Sequence, residues 1–183
     1  MRLLGISGSL RAASFNTSLL KAAQALTPEG VGIDIFGLHD LPLFNQDVED
    51  QGDPPAVQAW KAAVRAADGL VFACPEYNAG ITGVLKNAID WASRGTRESP
   101  PPLTGQIACI FGASPGMTGS ARAQDQLRLI LRRTVTQVAP IGEILVFQAH
   151  TKIIDGQLAD ERTREALRKH LAGFADAVRQ WRA

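Results

Sequence analysis

The run Gly69-Leu70-Val71-Phe72-Ala73-Cys74 contains no charged or hydrogen-bonding polar side chain apart from its terminal thiol. A strand that uniformly apolar has to be covered on both faces, which is the situation of a central strand in a parallel sheet flanked by helices. The rest of the chain keeps the same alternation. Apolar periodicity predicts strands at 3–7, 32–38, 69–74, 106–112 and 141–147, and helices at about 15–27, 56–67, 83–94, 121–135 and 160–182. The last helix has the cleanest period, with Leu167, Leu171, Phe174, Val178 and Trp181 on one stripe and Asp160 as its N-cap. Five strands interleaved with five helices specify an α/β fold: a parallel sheet, right-handed crossovers, helices on both faces. A chain of 183 residues makes one such domain, 1–183, burying roughly 70% of its unfolded surface.

Ligands of these sheets sit beyond the C-terminal strand ends, at the switch point of strand order. Loops 8–16, 75–82 and 113–120 all fall there. In the first, Gly8-Ser9-Leu10-Arg11-Ala12-Ala13-Ser14-Phe15-Asn16 leads from a strand into a helix, aiming unpaired backbone N–H groups at an anion. Ser9, Ser14 and Asn16 add neutral donors, and Arg11 adds a charged fork suited to phosphate. The lysine and hydroxyl of a P-loop are missing, and no third glycine completes a dinucleotide fingerprint. The same residues also describe an ordinary turn in which Ser14 caps the helix and Arg11 is solvated.

The second loop, Pro75-Glu76-Tyr77-Asn78-Ala79-Gly80, offers a planar side chain, an amide and free backbone N–H groups, with Gly80 allowing close approach of a flat ligand. Taken singly, Glu76 also reads as a solvated or capping carboxylate, and Tyr77 as a half-buried aromatic at a strand end. The third loop places Ser114 and residues 116–119 on the far side. A phosphate seat at one end and a site for a flat polar ring at the other describe a mononucleotide such as FMN. The long connection 39–55, with Leu43 and Phe44 between prolines and acids, is expected to pack on something.

Composition narrows the alternatives. A net charge of +1 gives no broad field for nucleic acid or an anionic membrane. No stretch approaches the ~18 apolar residues of a membrane span, and the N-terminus enters a strand directly, so the expected location is cytoplasmic. Cys74 and Cys109 lie in apolar runs and read as buried reduced thiols. His39, His150 and His170 are too far apart to suggest metal-ligand spacing.

The motifs Gly8-Ser9-Leu10-Arg11-x-x-Ser14-x-Asn16, Pro75-Glu76-Tyr77-Asn78 and Leu85-Lys86-Asn87-Ala88-Ile89-Asp90-Trp91 resemble, in order over about residues 2–150, the NADPH-dependent FMN reductase family. Within it, the chain is similar to the quinone and chromate reductase branch. The resemblance implies a flavodoxin-like three-layer fold with a five-stranded sheet in the order 2-1-3-4-5. It also implies non-covalent FMN, hydride taken from NADPH or NADH, and ping-pong transfer to quinones, flavins or other small acceptors. By position, Ser9, Arg11, Ser14 and Asn16, with Phe15 in the same turn, would hold the phosphate. Pro75, Glu76, Tyr77, Asn78, Ala79 and Gly80 would line the ring, chiefly through main-chain groups, and Ser114 would close the far side.

The same resemblance has residues 41–47 reach toward a neighbouring subunit of a homodimer or homotetramer. Ala79 stands where related sequences often carry a larger residue. Asp125, three residues after Arg122, replaces a tyrosine of some chromate-reducing relatives. No catalytic side chain is expected, because hydride transfer needs alignment more than an acid or base. Lys86 and Asp90 are expected simply to pair across their helix. The alternative is a flavodoxin-type FMN electron carrier, against which Arg11 and the near-neutral charge both count.

Overall fold

The strand β1 (Arg2–Ser7) runs directly into the loop that precedes α1 (Phe15–Ala25), and β2 (Gly32–Phe36) returns beside it. The computed structural model describes residues 1–96 and 98–183. Arg97, in the proline-rich connection expected before the fourth strand, lies outside the described residues. The chain continues through α2 (Gln46–Glu49), α3 (Pro55–Ala66), β3 (Gly69–Ala73), the hairpin β4 (Glu76–Tyr77) and β5 (Gly80–Ile81), and α4 (Gly83–Ala92). Then follow β6 (Ile107–Ala113), α5 (Ala121–Arg133), β7 (Gln137–Val138), β8 (Ile144–Val146), the hairpin β9 (Ile153–Ile154) and β10 (Gln157–Leu158), and α6 (Glu161–Arg182).

The main sheet is parallel throughout, in the order β2-β1-β3-β6, with β7 and β8 sharing the last position. This is the expected 2-1-3-4-5 order. Every residue of β3 and β6 is buried, as their unbroken apolar runs require. Leu19, Leu20, Leu171, Phe174 and Val178 of α1 and α6 cover one face. Trp60, Leu85, Trp91 and Leu127 of α3, α4 and α5 cover the other.

Two expectations need correction. The fifth strand is not continuous over 141–147. It is made in two pieces, β7 opposite Ile107 and Ala108, and β8 opposite Phe111, Gly112 and Ala113. Pro140 cannot donate to the ladder, and the Ile141 amide turns back to the Ala139 carbonyl at 2.8 Å. The alternating sequence of β2 sets Ile33 and Ile35 on the inward face against Asp34 and Phe36, and this fails after Ile33: Ile35 is exposed, while Phe36 packs on Trp60 with ring centroids 5.1 Å apart. β2 is an edge strand, and its last residues are turned by that aromatic contact.

The connection 39–55 does pack, and two residues of α4 anchor it. Asn87 donates to the Pro42 carbonyl at 2.9 Å and accepts from the Phe44 amide at 2.8 Å. The Trp91 indole donates to the same carbonyl at 2.8 Å, and Phe44 meets Trp91 edge-on. Further along, the buried Lys61 ammonium pairs with Asp53 at 2.8 Å, and Arg94 pairs with Glu49 at 2.9 Å. Among the described residues no helix is long and apolar enough to cross a membrane. Both cysteines are free and buried; burial, aided by the nearby Glu76 charge, pushes the Cys74 thiol up to about 12, so it is inert as a nucleophile.

Candidate functional site at the C-terminal strand ends

A cleft of about 200 Å³ opens where β1, β3 and β6 end. It is lined by Ser9, Arg11, Ser14, Phe15, Asn16, Pro75, Glu76, Tyr77 and Ser114 of the predicted set, together with Ala113 and Pro115. Residues separated by a hundred positions therefore meet, because three parallel strands deliver their loops to one end. A larger groove of about 600 Å³ runs beside β7 between α5 and α6. It contains none of the predicted residues.

The first wall is the N-terminus of α1. Ser14 is the N-cap: its hydroxyl accepts from the Thr17 amide at 3.3 Å, and its carbonyl from the Ser18 amide at 2.9 Å. The capping reading of Ser14 is thus correct, and it leaves the amides of Phe15 and Asn16 in the first turn without an intrahelical acceptor. Arg11 is exposed at the mouth, its guanidinium 5.6 Å from the Phe15 ring centroid. None of the ion pairs among the described residues involves it. A charged fork with no acid partner among the described residues stands here beside two free helix amides and two serine hydroxyls, donors of the kind an anion draws on. The Asn16 side chain is buried and bonds both ways to Ala113, accepting from its amide at 3.0 Å and donating to its carbonyl at 2.9 Å. It fastens α1 to the end of β6, so what Asn16 offers a ligand is its backbone amide.

The second wall is the short hairpin after β3. Asn78 and Ala79 both have positive φ, 52° and 63°, so they form the left-handed two-residue reversal that a hairpin of this length favours. They and Gly80 form the tip next to Tyr77 and do not line the cleft itself. A Cβ on Gly80 would lie 2.8 Å from Gln126 Oε1. Its bareness therefore admits the Gln126 side chain, which accepts from the Ile81 amide at 2.7 Å. Glu76 turns its carboxylate inward to the start of α5, accepting from the amides of Arg122 at 3.1 Å and Ala123 at 3.3 Å and from Arg122 Nε at 2.7 Å. Of the two roles open to Glu76 from sequence, capping is the one it adopts here. Tyr77, 55% exposed, is left facing solvent.

The third wall folds around Ser114. Its hydroxyl accepts from the Gly119 amide at 3.1 Å, and its amide donates to the Val146 carbonyl at 3.0 Å. Gly112, just before the lining residue Ala113, has no room for any side chain: a Cβ there would lie 1.9 Å from Ser120 Oγ and 2.5 Å from the Cys74 carbonyl. Three residues that organise the site escaped sequence reasoning. Thr82 caps α4 at the Leu85 amide and donates to the Gly8 carbonyl at 2.7 Å, joining the first and second walls. Its hydroxyl ahead of a helical period was a legible cap. Arg122 and Gln126, four apart on α5, hold the hairpin, but nothing in the sequence marked their partners. Lys86 and Asp90 pair at 2.7 Å on an exposed helix face, as expected.

The comparisons with known proteins agree with this architecture. Residues 1–151 match the family described as NADPH-dependent FMN reductase. The chain is 42% identical over 185 residues to an NAD(P)H-dependent FMN reductase of Pseudomonas aeruginosa, covering 100% of this chain and 97% of that protein. It is 33% identical over 184 residues to the quinone reductase of Escherichia coli strain K12, covering 98% and 96%. The solved structure of the flavoenzyme NAD(P)H:acceptor oxidoreductase FerB of Paracoccus denitrificans superimposes with a TM-score of 0.87 at 31% identity, covering 98% of this chain and 97% of that one. With that family spanning more than half its length, and with relatives above 30% identity along nearly all of it, this flavodoxin-like chain belongs to the NADPH-dependent FMN reductases and is an oxidoreductase.

Proposed function

We propose that residues 1–183 act as one FMN-binding unit that passes reducing equivalents from NADPH or NADH to quinones, flavins or similar small acceptors. The observation that carries this reading is Arg11, a guanidinium without an acid partner among the described residues, standing at the open N-terminus of α1. Together with Ser9, Ser14 and the amides of Phe15 and Asn16 it forms a donor set for one phosphate. The cleft, at about 200 Å³, suits a phosphate and the chain next to it, whereas whole ligands of this class need ~300 Å³ or more. The ring therefore belongs outside the narrow part, against Pro75, Glu76, Tyr77 and the backbone of Asn78, Ala79 and Gly80, with Ser114 opposite.

FMN, once bound, supplies the hydride acceptance and donation. The protein's part is to bind, align and leave one face open. No side-chain acid or base is assigned. Glu76, the carboxylate in the cleft wall, is engaged by Arg122 and the start of α5. The small side chain of Ala79 leaves the open face uncrowded, so donor and acceptor use it in turn, giving ping-pong kinetics with parallel double-reciprocal lines. Membership of a reductase family sets aside the electron-carrier alternative. We also infer a cytoplasmic homo-oligomer, supported by the relatives' use of reduced nicotinamides and by the exposed apolar side chains of the 39–55 connection.

Anaerobic mixing of FMN-loaded protein with excess NADPH and, separately, NADH tests the proposal. The oxidised-flavin absorbance should disappear within seconds, on the order of ordinary turnover rates of about 1–10³ per second. Persistence of that absorbance over many minutes with both donors would refute it.

A further inference from the structure

We propose that Glu76 and Arg122 form a charge-balanced pair that positions the flavin-facing hairpin and sets how readily the bound flavin is reduced. The proposal rests on the FMN reading above. Glu76 lines the cleft, yet its side chain is only 6% exposed and is directed into the start of α5. There it receives two backbone amides and both the Nε and Nη2 of Arg122. The helix amides and the Arg122 guanidinium together balance the charge of the carboxylate. Gln126, one turn along, takes the Ile81 amide and fills the space beside Gly80. Both strands of the hairpin are thereby fastened to one helix, and α5 itself begins where the third wall ends.

The electrical consequence has a sign. Adding electrons to a flavin brings negative charge next to the hairpin, and an uncompensated carboxylate there opposes that, while an uncompensated guanidinium favours it. Arg122 is 60% exposed and Glu76 nearly buried. Water screens the cation more than the anion, so loss of Arg122 has the larger effect. A purely structural clasp makes no such distinction: breaking it from either side loosens the hairpin in the same way.

The test uses FMN-loaded wild type, Glu76→Gln, Arg122→Gln and the double variant, with the flavin midpoint potential and the FMN dissociation constant measured for each. The proposal expects Arg122→Gln to lower the potential and weaken FMN about tenfold, Glu76→Gln to raise the potential by a smaller amount, and the double variant to return toward wild type. Potentials that shift in the same direction in both single variants, or stay at the wild-type value, overturn it. Should Arg122→Gln fail to fold, Arg122→Lys keeps the charge without the fork. Its potential must then stay near wild type, and a large fall in that variant also overturns the proposal. Wild-type apoprotein that takes up no FMN would instead remove the underlying reading, and that result is seen before any variant is compared.

Discussion

Arg11 and Ala79 mark the two ends of what single residues decide in this site. Arg11 stands free of any acid among the described residues and beside open helix amides, the setting that the strand-to-helix turn suggested for a phosphate partner. Arg11→Ala should weaken FMN by about 1.5–3 kcal/mol, the range for a hydrogen bond to a charged group, or roughly 10–150-fold. Titration of the apoprotein with FMN and with riboflavin checks this. The loss should appear with FMN alone, since riboflavin has no phosphate, and equal losses for both would take Arg11 away from the phosphate. Ala79 was not legible. The usual signal of a left-handed reversal is a glycine directly after the asparagine, and here the glycine comes one position later and serves Gln126. With φ at 63°, Ala79 bears a left-handed cost of about 1–2 kcal/mol, larger than the ~0.5–1 kcal/mol of extra chain entropy that glycine brings. Ala79→Gly should therefore raise stability by up to about 1 kcal/mol in urea unfolding. A lower midpoint would contradict the strain argument.

At the scale of elements, the central strands and the long helices could be read because their burial is decided by their own composition. β3 and β6 are apolar throughout, and α6 buries the stripe from Leu167 to Val178, with Trp181 at its end exposed and Asp160 capping its start, 2.8 Å from the Thr163 amide. The divided fifth strand was misread because its apolar content suggested continuity, while Pro140 and the turn it forces decide the pairing. His170 of α6 sits at that break. It is buried, its Nε2 without a hydrogen-bond partner, edge-on to Phe111 and within reach of the Arg128 charge. Burial first, and Arg128 after it, pull its pKa from 6.5 down to about 4. The unfolded chain thus binds this proton more readily, so His170 favours the native state fully above pH ~6.5, and that advantage is lost as the pH falls through about 4. Urea unfolding should show this as a loss approaching about 3 kcal/mol between pH 7 and pH 4, with a flatter profile in His170→Leu. Parallel profiles for the two proteins would place the pH dependence elsewhere.

For the whole molecule, the decisive feature is how the connection 39–55 is held. Pro42 is fixed by Asn87 and Trp91, and Phe44 packs on Trp91 and bonds through its amide to Asn87. Leu43, between these two anchors, is 83% exposed. A leucine at the tip of a loose loop means little. One presented outward by a doubly anchored segment has already lost the chain entropy that association would otherwise take from it. Sequence alone indicated only that this stretch must pack, since the anchors lie more than forty residues away on α4. The cleft is also too small for a whole nucleotide, so the ring placed above against the hairpin lies on its open side. Both observations favour a second copy covering this end of the molecule. Sedimentation at micromolar concentration should give a multiple of 19.6 kDa. Leu43→Glu, which places a charge where the apolar contact would form, should shift the distribution toward the single chain without lowering the apoprotein's melting temperature, because Leu43 adds nothing to the core. A wild-type protein that sediments only at 19.6 kDa would leave this surface without the partner argued for it.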